Sequence, residues 1–259
     1  MLNQIYTSWV ILFICLAVLL VSNSPIGGEY YSGLLSKFAC SVTFMVIAFV
    51  RNNSINNSNK DYGKYIVIGL FFSLVGDVLL AAGDSDALFM GGIAAFMLTH
   101  FLYIVAFLYL LRVHHRHNTA KYTPMLYVAI LVLTSSYFIG YKIIIQQIPD
   151  TFLPLSYPYM CIISVMVALS PAGNLLSKPI SLQQIKSNIK NATRDLVGYR
   201  GDAQFTEGQK AWLRLIGSIM FYLSDLCVAR QAFIQKSFYN KLIGLPLYYF
   251  AQMIIASSI

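Results

Sequence analysis

Charge is scarce in this chain. Aspartate, glutamate, lysine and arginine together make up 11% of its 259 residues, and only ten of those side chains are acidic. Soluble domains carry about 25% charged residues, so helices with one water-facing side are not what this composition encodes. Cysteines are few as well. Cys15, Cys40, Cys161 and Cys227 all fall in apolar stretches without C-x-x-C spacing, which points away from a disulfide or metal framework and leaves them as small packing residues. The chain contains no G-x-S-x-G elbow, no H-E-x-x-H zinc motif and no G-x-x-x-x-G-K phosphate loop, so common hydrolase and nucleotide-binding classes have no foothold. His114, His115 and His117 are interleaved with Arg112 and Arg116 and read as a basic juxtamembrane patch rather than a metal site.

What the chain has instead is apolar length. Hydrophobic residues reach 58% and are gathered into runs, the pattern of an all-α membrane protein built as a single polytopic domain over residues 1–259. Eight transmembrane helices are expected, over residues 5–21, 34–50, 65–82, 87–111, 124–140, 152–170, 212–235 and 242–259. The first lacks a basic n-region and an A-x-A cleavage site, so it reads as a retained span. Arg51, Lys60, Lys64, Arg112, Arg116, Lys121, Lys178, Lys186, Lys190, Arg194, Arg200 and Lys210 fall in loops on one side, with Lys142 at a helix edge on the other. Lys236 and Lys241 lie on the other, along with Glu29, Asp84, Asp86 and Asp150. The positive-inside rule then puts both termini in the cytoplasm. The net charge of +8 is a topology signal, and no nucleic-acid partner is expected from it. One long polar loop remains, cytoplasmic and covering about 171–211. Within it Leu182, Ile185, Ile189, Ala192 and Leu196 recur at helical spacing beside Lys186, Lys190 and Arg194, which suits either a helix on anionic headgroups or a solvated linker.

Two acids break the apolar runs. Asp77 lies in GLFFSLVGDVLLA and Asp225 in GSIMFYLSDLCVA, and an acid at the centre of a spanning helix costs roughly 2.5–3.5 kcal/mol on insertion scales. A neutral amide would glue helices together at lower cost, so these two carboxyls are the first candidates for chemistry. Around them, Ser73 shares the face of Asp77, and Phe221 and Ser224 accompany Asp225. Phe96, His100 and Tyr103 form a stripe on the fourth span, Tyr159 falls on the sixth, and the eighth offers Tyr248, Tyr249 and Gln252. Aligning the two acid-bearing stretches superposes Asp77 on Asp225, Gly69 on Gly217 and Ala81 on Ala229, and the same offset carries His100 onto Tyr248. That suggests a four-plus-four parallel pseudo-repeat, while chance likeness between apolar helices is the competing reading.

The ordered set Gly76-Asp77-Val78-Leu79-Leu80, then Phe96, His100 and Tyr103, then Tyr159 and Met166, then Gly217, Phe221 and Ser224-Asp225, and finally Tyr249 and Ala251-Gln252 resembles the YhhN-like lysoplasmalogenase family of eight-span membrane proteins. The resemblance runs from about Lys37 to the C-terminus. Lys37–Phe38 stands where the family has a Lys-Pro pair, and the loop over 171–211 is longer than the family leads one to expect. The resemblance implies a hydrolase that cleaves the vinyl ether bond of lysoplasmalogens, giving a fatty aldehyde and glycerophospho-ethanolamine or glycerophospho-choline. Its partners would be a lysophospholipid substrate and the surrounding membrane lipids.

The residues suit that chemistry. Protonating a vinyl ether at its β-carbon makes an oxocarbenium ion that captures water, so the site needs an acid, a base and nearby negative charge, and two carboxyls provide all three without a cofactor. On this reading Asp77 and Asp225 are the acid/base pair. His100, Tyr103, Tyr159 and Gln252 orient water or the ether oxygen, Lys37 meets the phosphate, and Phe96 and Phe221 line the chain. Ser73, Ser224 and Tyr249 complete the polar face. A proton-coupled transporter also uses intramembrane acids, and a non-catalytic lipid-binding protein is the plain alternative. The G-x-G-D motif of intramembrane aspartyl proteases is broken here by Leu74-Val75-Gly76-Asp77.

Overall fold

A computed structural model describes residues 2–24, 30–54, 60–83, 85–115, 145–171 and 207–259. Among these residues the chain forms seven α-helices and no strand. They are α1 (Leu2–Ser22), α2 (Tyr30–Ser54), α3 (Lys60–Ala81), α4 (Asp86–His115), α5 (Leu153–Leu169), α6 (Glu207–Ala229) and α7 (Phe238–Ser257). Seven of the eight expected apolar segments coincide with these helices. The expected span over 124–140 and most of the polar loop over 171–211, with its periodic stretch, lie outside the described residues.

Length and composition make four segments long and apolar enough to cross a bilayer: Leu34–Asn53, Lys60–Ala81, Asp86–Val113 and Glu207–Ile234. At 1.5 Å rise per residue, 20 residues cover about 30 Å, the thickness of the hydrocarbon layer. Thr7–Ser22 and Leu153–Leu169 are apolar but shorter. The distribution of side chains agrees with a lipid setting. Phe13, Leu35, Phe71 and Phe101 are each more than half exposed, while Ser41, Ser73, Thr99, His100 and Gln252 are fully buried. Water would favour the reverse arrangement; in lipid, polar groups turn inward to find partners. These features are those of an integral membrane protein.

Two helix pairs form the frame, α3 on α4 and α6 on α7, with α2 packed on both α3 and α7 and α5 packed on α4. Both pairs close on a glycine. A Cβ at Gly69 would lie 2.6 Å from the ring of Tyr103, and one at Gly217 would lie 3.1 Å from the carbonyl oxygen of Ala251. Small residues at these crossings let the backbones approach, which brings the polar faces of four helices into one interior. Thr99 uses that closeness to donate to the Gly69 carbonyl at 3.0 Å.

The helix ends have local causes. Pro154 sits in the first turn of α5, where a missing amide hydrogen costs nothing. α6 widens into a π turn over Arg230–Ile234, and its end is tied to α7 by side chains. Asn240 donates to the Gln231 side chain at 3.0 Å and to the Gln235 carbonyl at 2.7 Å, and Arg230 donates to Asn240 at 3.1 Å. Ser237 caps α7 by accepting from the Tyr239 amide. This polar knot sets the register of α7 against α6, and therefore the height at which Tyr248 and Gln252 meet the other helices.

Candidate functional site: two aspartate networks in the bundle interior

Asp77, one turn from the end of α3, is 5% exposed. Its Oδ2 accepts from the Ser41 hydroxyl at 2.6 Å and from the Tyr248 phenol at 2.8 Å. Tyr248 also meets Ser73 Oγ at 2.7 Å, Gln252 Nε2 donates to Ser73 Oγ at 2.6 Å, and Tyr103 donates to Gln252 Oε1 at 2.7 Å. One continuous line of hydrogen bonds therefore runs from Tyr103 on α4 through Gln252, Ser73 and Tyr248 to Asp77. One link joins α4 to α7 and the other three join α7 to α3, and the Ser41 bond adds α2, so the network fixes four helices together as well as holding the carboxyl. Buried polar groups must be paired, and here every member has a partner.

Asp225, near the end of α6, belongs to a second network. Its Oδ2 accepts from Tyr159 of α5 at 2.6 Å and lies 3.2 Å from His100 Nε2 of α4. His100 Nε2 is 3.1 Å from the Tyr159 oxygen, and its Nδ1 is 3.3 Å from the sulfur of Met166. His100 is fully buried, whereas the Asp225 side chain is 16% exposed. Asp225 is thus the more open of the two acids.

The carboxyls are not hydrogen-bonded to each other. Between their networks stands a group of rings in mutual contact: Phe96 on Phe221 at 6.3 Å, Phe96 on Tyr248 at 5.7 Å, Phe221 on Tyr248 at 5.4 Å, and His100 on Phe221 at 4.5 Å between centroids. Phe96 and Phe221, expected to line a hydrocarbon chain, instead pack on one another and are buried. Aromatic residues at helical spacing describe a packed contact as well as they describe a pocket wall.

The contacts also repeat. An offset of 148 residues carries Asp77 onto Asp225 and His100 onto Tyr248, and it carries the Asp77–Tyr248 bond onto the Asp225–His100 contact. The Tyr248–Ser73 bond corresponds likewise to the His100–Phe221 ring contact. Gly69 against Tyr103 corresponds to Gly217 against Ala251, and Gly76 against Phe96 to the Ser224 carbonyl against Gly244. Each aspartate is served by a side chain from the other half of the chain.

Other expected residues take lesser places. Lys37 of α2 is half-buried, and its ammonium makes no hydrogen bond among the described residues. Tyr249 donates weakly to the Lys37 carbonyl at 3.5 Å. Ser224 is buried on α6 and makes no side-chain hydrogen bond to either aspartate. Ser41 is the partner that the sequence does not single out, and Tyr248 and Met166 are named there without a role. Tyr248 had a signal, its alignment onto His100, and Ser41 a weaker one, its place one turn after Lys37. An open apolar groove of about 560 Å³ lies between α1 and α2, lined by Ile11, Phe38, Val42 and Val46 among others. Among the described residues no three His, Cys, Asp or Glu side chains gather to hold a metal ion.

Comparison with known proteins gives one match. The model of the family described as the YhhN family covers residues 33–259, which takes in every residue of both networks. No curated protein and no solved structure matches the chain.

Proposed function

The chain belongs to the YhhN family, and from that premise we propose that it is a membrane-embedded ether hydrolase that opens the vinyl ether bond of lysoplasmalogens. The products are a fatty aldehyde and glycerophospho-ethanolamine or glycerophospho-choline. The observation that carries this reading is that two ionisable carboxyls, Asp77 and Asp225, are held by directed hydrogen bonds inside an apolar bundle. Such a placement is costly unless the acids are used.

The chemistry proceeds in three steps. An acid delivers its proton to the β-carbon of the vinyl ether, forming a C–H bond as the double bond shifts to give an oxocarbenium ion. Water adds to the cationic carbon and gives up a proton to a carboxylate. The hemiacetal then collapses: the C–O bond to glycerol breaks, the glycerol oxygen takes a proton, and the hemiacetal hydroxyl loses one. The sum is one water consumed and the catalyst returned to its starting state. The second carboxylate lowers the energy of the cation by its charge. Lys37 is the residue assigned to the substrate phosphate. No cofactor is called for. The contacts repeated at the 148-residue offset support a four-plus-four arrangement of eight spans, and the excess of cations in one set of loops supports both termini in the cytoplasm.

The test is purified protein in detergent, offered alkenyl, alkyl and acyl lysophospholipids together, with products read by mass spectrometry. Aldehyde released from the alkenyl lipid alone is the expected result, falling by about two to four orders of magnitude when the acid is replaced by its amide. Cleavage of the acyl lipid instead would make the protein a lysophospholipase. Proton-coupled uptake in liposomes without hydrolysis would make it a transporter, and binding without either would leave a lipid-binding protein.

A further inference from the structure

We propose that the two aspartates hold different protonation states: Asp77 is a fixed anion, and the mobile proton belongs to the Asp225–His100 couple, with Met166 deciding which ring nitrogen carries the other hydrogen. The catalytic use of that proton rests on the hydrolase reading; its location rests on hydrogen-bond geometry.

Counting hydrogens along each network makes the case. Tyr103 has one hydrogen and gives it to Gln252 Oε1, so the amide nitrogen of Gln252 faces Ser73 and donates to it. Ser73 is then left to donate to the Tyr248 oxygen, and Tyr248 to donate to Asp77. All four hydrogens point towards Asp77, which also receives one from Ser41. Both bonds end on Oδ2, so the line is complete with Asp77 as a carboxylate and asks it for no hydrogen. Running the line backwards, with Asp77 donating from Oδ2 to Tyr248, would turn the Gln252 amide round and leave the Tyr103 hydroxyl hydrogen without an acceptor among the described residues.

The other network cannot be completed in that way. A thioether has no hydrogen to give, so the 3.3 Å contact between His100 Nδ1 and the Met166 sulfur places the hydrogen on Nδ1. Tyr159 spends its single hydrogen on Asp225 at 2.6 Å. Nε2 then faces two oxygens, those of Asp225 and Tyr159, at 3.2 and 3.1 Å. A neutral ring with a bare Nε2 would present its lone pair to theirs. One further hydrogen must lie between Nε2 and Asp225, either on nitrogen beside a carboxylate or on oxygen beside a neutral imidazole. His100 also packs on the ring of Phe221.

The equivalent positions of the two halves differ in the way this division needs. Tyr248 occupies in the Asp77 network the place His100 occupies in the other, and Ser73 the place of Phe221. The hydroxyls of Tyr248 and Ser73 suit a permanent anion, whereas imidazole beside phenyl suits a group that gives and regains a proton. In the reaction the couple gives its proton to the β-carbon, recovers one from the adding water, gives one to the glycerol oxygen and recovers one from the hemiacetal. Asp77 exchanges none and contributes charge.

The deciding measurement does not need turnover. Replacing His114, His115 and His117 with Gln leaves His100 as the sole imidazole, and nitrogen NMR of isotope-labelled histidine then reads each ring nitrogen directly. The expected spectrum has Nδ1 protonated, with the Nε2 signal moving in D225N and unmoved in D77N. The conservative M166L variant, close to isosteric, should loosen the tautomer and lower aldehyde release roughly fivefold, the worth of one ordinary hydrogen bond. D225N should cost about two to four orders of magnitude in aldehyde release, and D77N less. A bare Nδ1, or a protonated-carboxyl infrared band that vanishes in D77N, would overturn the assignment. If the unaltered protein releases no aldehyde the hydrolase reading falls, and the spectra still decide where the proton sits.

Discussion

At the scale of single residues, the two acids differ in how much each depends on one neighbour. Asp225 has Tyr159 as its shortest contact, a 2.6 Å bond, and hydrogen bonds to charged groups contribute about 1.5–3 kcal/mol. Tyr159→Phe should therefore lower kcat/KM for aldehyde release by about 10- to 100-fold, with little change in thermal stability, because the ring still packs on His100 at 5.3 Å. Ser41→Ala should do the opposite. Asp77 keeps its bond from Tyr248, so the loss should appear as about 1–2 kcal/mol of stability in detergent melts and as less than tenfold in rate. A Tyr159→Phe protein with full activity would remove Asp225 from the proposed chemistry.

At the scale of helices, the crossings govern whether the networks form. Gly217 packs against Ile255 and the Ala251 carbonyl, with 2.7 and 3.1 Å left for a Cβ, whereas Gly208 at the start of the same helix has nothing within 4 Å. Gly217→Val should cost about 1–3 kcal/mol by overpacking and pull Tyr248 and Gln252 off their partners. Gly208→Ala should be neutral or slightly stabilising. Thermal unfolding of the two variants side by side checks this, and equal melting temperatures would mean that α6 and α7 are not held as described. The helices themselves were legible in the sequence, since an apolar run of bilayer length has few other uses. Asp77 and Asp225 were legible because they are isolated acids in such runs. Which residue bonds to which acid was not, because a pairing depends on how distant helices rotate against each other: Tyr248 lies 171 residues from Asp77. Ser41 is one serine among several in spans, and only its register against α3 singles it out. Likewise, the sequence does not distinguish Phe96 and Phe221 as pocket walls from the same residues as a packed ring contact.

At the scale of the whole molecule, polar groups are inside and many large apolar side chains face outward, so the chain is suited to lipid and its orientation there is set by loop charge. Single cysteines introduced at Asn53 and Lys60, between α2 and α3, should be labelled by an impermeant reagent only from the cytoplasmic side. Cysteines at Ser85 and Lys236 should be labelled only from the opposite side. The measurement uses intact and inverted membranes from the same cells, on a background in which the four native cysteines are replaced; the reverse pattern would invert the proposed topology.

The wall formed by Phe96, Phe221 and Tyr248 makes the interior modular. A residue on one side has few shared neighbours with a residue on the other, so effects of changing both should add nearly independently. Selection can then retune one network while the other, locked by its own line of hydrogen bonds, goes on serving as the keystone of the helix frame.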